Sequence, residues 1–348
     1  AFSMGNEFRL AQLKAIGKQA TIIGIFQAIL TTVVVDAALI ALHFIMPDKL
    51  SLSAAIVLGS VATATAPAAT LMVVRQYKAE GPLTKLLLLV VAIDDAVGLV
   101  LFSASFGIAR AMEQGSISLL GVVLEPVLEI VLSLGLGALA GLMLHYVERF
   151  FHSRSKRLSV SVAFVLLTVG LSMVKFTVGG VHCGFSLLLV CMMTGTVFCN
   201  ICDTSEELMD RIDRWTAPLF VIFFVISGAE LNLSVFSSIA VVVIGITYIA
   251  ARSLGKYFGA GISARATKCD PNIVKYLGIT LLPQAGVALG MSVTVAAEFG
   301  AEGAMVRNIV LFSVLIYELV GPLLTKMALT AAGDIRPKPA VDRTDLQA

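Results

Sequence analysis

The sequence predicts an all-α polytopic membrane protein whose first and last three spans form an inverted pair of triplets. Three observations carry this: apolar runs that recur along the chain, basic residues confined to alternate connections, and a proline break in the middle span of each triplet. Of 348 residues, 58% are hydrophobic and 14% charged, with a mean hydropathy of +0.94. An ordinary soluble domain carries roughly 25% charged residues.

A bilayer core about 30 Å thick needs roughly 20 apolar residues per helix, and backbone groups in lipid must be bonded within the segment. The apolar runs are therefore read as helices near residues 18–46, 53–74, 83–112, 117–148, 158–175, 184–202, 215–232, 235–262, 272–298 and 303–331. Basic loops stay cytoplasmic. One set of connections carries Arg9, Lys14 and Lys18, then Arg75, Lys78 and Lys85, then Arg149, Arg154, Lys156 and Arg157, then Arg211 and Arg214, then Arg265, Lys268 and Lys275, then Lys326. The other set holds only Lys49, Arg110, Lys175 and Arg307, so the first set and the C-terminus are expected on the cytoplasmic side. The start, Ala1-Phe2-Ser3-Met4-Gly5, has no positive stretch before an apolar one and reads as a cut end, not a signal peptide.

In order along the chain, the first span holds Asp36 towards its outer half, to which no functional role is assigned. The second, "VATATAPAATLMV", contains Pro67. The third, "LLLLVVAIDDAVGLVLF", places Asp94 and Asp95 at its centre. The sixth carries most of the cysteines, including "CNIC" at 199–202. With no second pair nearby they are read as small apolar residues, and His182 beside Cys183 as a loop residue. The eighth, "YIAARSLGKYFGAG", holds Arg252 and Lys256 one turn apart on one face. The ninth, "GITLLPQAGVALGMS", contains Pro283 and Gly286, and the tenth contains Glu318.

An ionisable group at mid-bilayer costs at least about 2.5 to 3.5 kcal/mol, so such groups are functional candidates by default. Adjacent helical residues point about 100° apart, so Asp94 and Asp95 are expected to do different jobs, one facing a buried base and the other a cavity. Arg252 is read as the inner base, Lys256 as reaching towards the cytoplasmic end, and Glu318 as neutralising whichever base the aspartates leave over. Proline frees carbonyls in the turn before it, and freed backbone at membrane depth belongs at a protein-lined or water-lined site. The two triplets start an odd number of spans apart and so run in opposite directions, with the breaks at Ala66–Pro67 and at Pro283, Gln284 and Gly286 expected to cross. Asp94, Asp95 and the Thr65 hydroxyl are hard oxygen donors, suited to an alkali cation such as Na⁺.

Together "ATATAPAAT", "AIDDAVGLVLF", "ARSLGKYFGAG", "LLPQAGVALG" and "YELVGPLLTK" resemble the monovalent cation/proton antiporters of the sodium/hydrogen exchanger superfamily, in the branch with an Asp-Asp pair. The resemblance runs over nearly the whole chain from about residue 2 and implies an N-terminally truncated form. It implies the inverted-repeat antiporter fold with two crossing discontinuous helices. Residues 1–112 would form the first half of an ion-translocating core, preceded by the end of an early helix. Residues 113–150 would form a linker helix, 151–233 the dimerisation helices of a homodimer, 234–332 the second half of the core, and 333–348 a cytoplasmic tail. It further implies that Asp95 binds proton and cation in turn, and that Asp94 pairs with a base at the position of Arg252. Many members carry Lys there. Arg does not release its proton, so this departure counts against that residue as a proton carrier.

The expected function is secondary active exchange of protons for a monovalent cation, with Na⁺ favoured, by alternating access in the cell (inner) membrane. No enzyme activity, cofactor or nucleic-acid partner is expected; the partners are the cation, the proton and the lipid bilayer. The nearest rival is a K⁺/H⁺ antiporter or K⁺ efflux system. A sodium/organic-anion symporter would not need adjacent aspartates. An intramembrane aspartyl protease needs two carboxylates that converge, and neighbours on one helix diverge. A non-transporting scaffold would show itself if replacing Asp95 altered stability alone.

Overall fold

The computed structural model describes residues 2, 3, 5, 9, 17–113, 119–151, 153–174, 176–178, 181–229 and 238–335. Six of its helices are long and apolar enough to cross a membrane, and three more are shorter and apolar. The expected tail beyond residue 335, and nearly all of the expected early helix before Gly17, lie outside the described residues.

The first triplet opens with α1 (Lys18–Ile45). Its middle span is two helices, α2 (Leu52–Val61) and α3 (Pro67–Tyr77), separated by non-helical residues 62–66. Ser51 caps α2 by accepting from the Ala54 amide at 3.0 Å. Pro67 takes the first position of α3, where the missing N–H leaves no bond unmade. α4 (Pro82–Glu113) completes the triplet.

The last triplet repeats the design. α9 (Ile239–Ala266) is followed by α10 (Pro271–Thr280), which Asp270 caps through the Asn272 amide at 2.9 Å. Residues 281–285 form the break, and α11 (Gly286–Glu298) and α12 (Gly300–Ala331) follow. The first helices of the two triplets, α1 and α9, lie against each other antiparallel. A Cβ on Gly255 would come within 2.8 Å of Thr31 Cα, and one on Gly259 within 2.9 Å of Gln27 Cα. The small-xxx-small spacing of "GKYFG" thus brings two backbones together as membrane helices commonly do.

Between the triplets run α5 (Leu119–Glu148), α6 (Arg154–Ser172), a short antiparallel hairpin of β1 (Phe176–Val178) and β2 (Val181–Cys183), α7 (Leu187–Ile201) and α8 (Ser205–Ala229). Gly137 and Gly141 of α5 seat it on α7, facing Val190 O and Thr194 O. Two features depart from the reading of the sequence. His182 lies in a strand, opposite Thr177, and not in an irregular loop. α8 also begins well before residue 215. Its first turns, "SEELMDRIDR", are amphipathic: Leu208, Met209 and Ile212 are buried while Glu206 and Asp210 are exposed, a pattern that a hydropathy run misses.

One apolar cluster gathers Val35, Leu58, Leu99, Tyr248, Leu289 and Ile309 from both triplets, so the two share a core. A separate cluster of Leu144, Phe198, Met209 and Ile212 holds α5, α7 and α8. Polar contacts close the two ends. At one end Asp334, just past α12, accepts from the Thr84 amide at 2.7 Å and its hydroxyl at 2.8 Å, capping the start of α4. At the other, Arg110 at the end of α4 meets Glu129 of α5 at 3.6 Å and Glu298 of α11 at 3.2 Å.

Candidate functional site

The two breaks meet. The Ala66 amide donates to Pro283 O at 2.9 Å, and Gln284 Nε2 donates to Val61 O at 3.0 Å and to the Tyr248 hydroxyl at 3.1 Å. Ser313 of α12 donates to Gln284 Oε1 at 3.3 Å. The two non-helical segments, each begun by a last turn of its helix, thus bond to one another in a fully buried setting, as backbone in a membrane interior requires.

α2 and α10 both end here, and their last carbonyls carry the partial negative charge of a helix C-terminus. Arg252 of α9 answers that charge. Its Nε donates to Ala62 O at 2.9 Å, and its terminal nitrogens donate to Leu282 O and Ala64 O, each at 2.7 Å. The guanidinium lies 4.4 Å from the centre of the Tyr317 ring, and the Tyr317 hydroxyl donates to Ile249 O at 2.8 Å. Arg252 is therefore a rigid clamp on both broken helices, a task its planar fork suits.

One turn along α9, Lys256 reaches the aspartate pair. Its Nζ is 2.7 Å from Asp94 Oδ2, 2.9 Å from Thr65 Oγ1 and 2.5 Å from Thr63 O. Asp94 also accepts from the Thr65 hydroxyl and from the Gln27 amide of α1. Asp94 and Lys256 are 0% exposed, and Asp95, the next residue on α4, is 1% exposed. Asp95 and Arg252 both lie close enough to Lys256 to act on it electrostatically. Two carboxylates and two bases thus share a site that lies inside the protein at the crossing of the breaks.

Two expectations are corrected here. The base on Asp94 is Lys256 and not Arg252, because Gly255 and Gly259 flank Lys256 and press this turn of α9 onto Thr31 and Gln27, the same turn of α1 that touches Asp94. The base that meets Asp94 is thus a lysine. Glu318 is exposed on α12 beside Leu319 and Val320, and no ion pair joins it to Arg252 or Lys256 among the described residues. Its neighbour Tyr317 is the residue that turns inwards to Arg252. Thr65, Ala66, Pro283 and Gln284 all stand at the crossing, and Gly286 opens α11. Gln27 and Tyr317 were not foreseen. An amide in the middle of "IIGIFQAILTT" was the available signal for Gln27.

Residues 2–331 match the family described as "Sodium/hydrogen exchanger, transmembrane". The chain belongs to the sodium/hydrogen exchanger family. Its class is cation/proton antiport, so it is a transporter and not an enzyme. Among solved structures, this antiporter resembles the sodium proton antiporter MjNhaP1 from Methanocaldococcus jannaschii at pH 8, with a TM-score of 0.66 and 18% identity. The match covers 94% of this chain and 83% of that one, a likeness of fold. No curated protein sequence matches the antiporter.

Proposed function

We propose that this antiporter exchanges protons for Na⁺ at Asp95, by alternating access across the cell (inner) membrane. The observation that carries the reading is the commitment of Asp94. Three donors, on Lys256, Thr65 and Gln27, hold it in place, and the equally buried Asp95 beside it lies within electrostatic reach of the same Lys256, so a charge gained or lost at Asp95 is felt by the pair. A carboxylate taken out of water holds a proton more tightly, and nearby positive charge loosens that hold. Proton and cation then compete for one site, and a cation there gains the Thr65 and Asp94 oxygens only by displacing the Lys256 ammonium that holds both.

Lys256 adds a second proton carrier to this scheme. A buried lysine gives up its proton far more readily than an arginine does. Binding of a cation between the aspartates would weaken the Asp94–Lys256 pair and favour release of that proton.

We assign residues 1–112 and 234–332 to a moving core, 113–150 to a linker helix and 151–233 to the contacts of a homodimer. The reading is supported by the shared apolar core of the two triplets and by the separate cluster that joins α5, α7 and α8. The basic connections favour a cytoplasmic C-terminus.

The test is collapse of an imposed pH gradient in proteoliposomes on adding Na⁺, K⁺ or Li⁺, for wild type and Asp95→Asn. Collapse driven by Na⁺ and abolished in the variant is the expected result. Collapse driven by K⁺ alone would replace the cation. Unchanged collapse in a well-folded variant would falsify the role of Asp95.

A further inference from the structure

Gln27 of α1 is 0% exposed and touches Asp94 directly. Its Nε2 carries two hydrogens, and both are taken, one by the Asp94 carboxylate and one by Gly24 O at 3.2 Å. The amide oxygen is buried too, yet among the described residues Gln27 Oε1 accepts no hydrogen bond. A buried carbonyl oxygen without a donor is unfavourable, and an apolar side chain of the same size would leave no such oxygen behind.

The amide cannot turn to relieve this. Exchanging its two ends would set Oε1 against the Asp94 carboxylate, acceptor against acceptor. The backbone is fixed as well. A Cβ on Gly259 of α9 would come within 2.9 Å of Gln27 Cα, and one on Gly24 within 3.0 Å of Ile93 Cγ2, next to Asp94 on α4. Gln27 is thus wedged between the helix that carries Lys256 and the helix that carries the aspartates. The other two donors on Asp94 are fully used. The three hydrogens of the Lys256 ammonium meet Asp94, Thr65 Oγ1 and Thr63 O, and the Thr65 hydroxyl turns its own to Asp94.

In a planar amide the oxygen and nitrogen lie about 2.2 Å apart. Gln27 Oε1 therefore lies within about 5 Å of the Asp94 oxygen that Nε2 contacts, whichever way the amide plane is turned. Hard cations of the size of Na⁺ and Ca²⁺ hold their oxygens at about 2.4 Å, so two ligands of one ion stand up to about 5 Å apart. One cation can thus touch both the carboxylate and the amide oxygen. When that cation displaces the ammonium, Asp94 Oδ2, Thr65 Oγ1 and Thr63 O are released to it, and all are hard acceptors.

We propose that Gln27 is a specificity-determining ligand of the transported cation: its amide oxygen enters the shell of the ion while its amide nitrogen keeps Asp94 in position. The number of neutral oxygens, and the rigidity with which the wedge between α4 and α9 holds this one, then select among alkali ions. The assignment rests on cation binding at the Asp94–Asp95 site.

The experiment uses the full-length protein and two readouts. One is the KM for Na⁺, Li⁺ and K⁺ in proteoliposome antiport. The other is the rise in unfolding temperature on adding each ion in detergent, which reports binding without transport. Wild type, Gln27→Met, Gln27→His and Asp95→Asn are compared. Gln27→Met removes both the oxygen and the bond to Asp94, whereas Gln27→His keeps an N–H for Asp94 and brings no oxygen. Both Gln27 variants are expected to raise the KM for Na⁺ by about tenfold, to change the ratio of KM values between Na⁺ and Li⁺, and to shrink the Na⁺-induced rise in unfolding temperature. The maximal rate is expected to change far less. Wild-type KM values in Gln27→His, even beside weakened binding in Gln27→Met, reduce Gln27 to a support for Asp94 and overturn the proposal. A lower unfolding temperature with an unchanged ratio between ions does the same, and Gln27→His decides alone should Gln27→Met not fold. Antiport that survives Asp95→Asn overturns the exchange at Asp95 instead, while the ion-induced rise in the Gln27 variants still reads the amide oxygen.

Discussion

Lys256 Nζ stands 2.7 Å from Asp94 Oδ2, with both side chains fully buried. Removing one member of such a pair leaves an uncompensated charge and is strongly destabilising, whereas removing both is often tolerated. Asp94→Asn and Lys256→Met are therefore each expected to lower stability by about 3 to 5 kcal/mol. The double variant is expected to regain most of that loss. Thermal unfolding in detergent reads the cycle, and additive losses would mean that the pair is not coupled.

Lys256→Arg separates charge from proton release. The variant keeps a cation on Asp94 but one that cannot release its proton. Exchange is expected to persist with less charge moved per cation, seen as a smaller response to an imposed membrane potential. An unchanged electrical response would remove Lys256 from the proton-carrying scheme.

Arg252 is expected to be intolerant of lysine. Its three carbonyl contacts and its place over Tyr317 need a planar fork, and a lysine ammonium has neither that shape nor that reach. Hydrogen bonds to charged groups are worth about 1.5 to 3 kcal/mol each, so Arg252→Lys is expected to lower stability by about 2 kcal/mol or more. Tyr317→Leu is expected to lose less, since the carbonyl bonds remain. Equal stability of Arg252→Lys and wild type in thermal unfolding would refute the clamp.

At the Gly259 contact a methyl group has no room against Gln27. Gly259→Ala is expected to push α1 from α9, cost about 1 to 3 kcal/mol and weaken the Gln27 bond to Asp94. Gly245→Ala, on the same helix with open space at its Cβ, is the control and is expected to behave as wild type. Comparable unfolding temperatures for the two variants would argue against the close approach.

Thr65 offers the finest test of the site. Its hydroxyl contacts both Lys256 and Asp94. Thr65→Val keeps the shape and removes the bonds, and is expected to weaken apparent cation affinity by about tenfold or more. Thr65→Ser is expected to stay near wild type. If both variants keep the wild-type KM for the cation, the hydroxyl is not a ligand.

What the sequence determined by itself was local: where apolar length suffices to cross a bilayer, where a proline interrupts it, and which few ionisable groups are left inside. These follow from the lipid environment and from backbone chemistry, and α1 to α4 and α9 to α12 stand where they were expected. Partner choice was not local. Arg252 and Lys256 share one face of α9, and both were long enough to meet Asp94. The contact of Gly255 and Gly259 with α1 settled the level of each, setting Lys256 on the carboxylate and Arg252 on the carbonyl ends. Helix rotation likewise turned Tyr317 inwards and Glu318 out, and placed Asp36 against Gly59 of α2. Depth along a helix is legible from sequence, but the azimuth and axial offset of one helix against another are set by packing, and only the tertiary structure decided those.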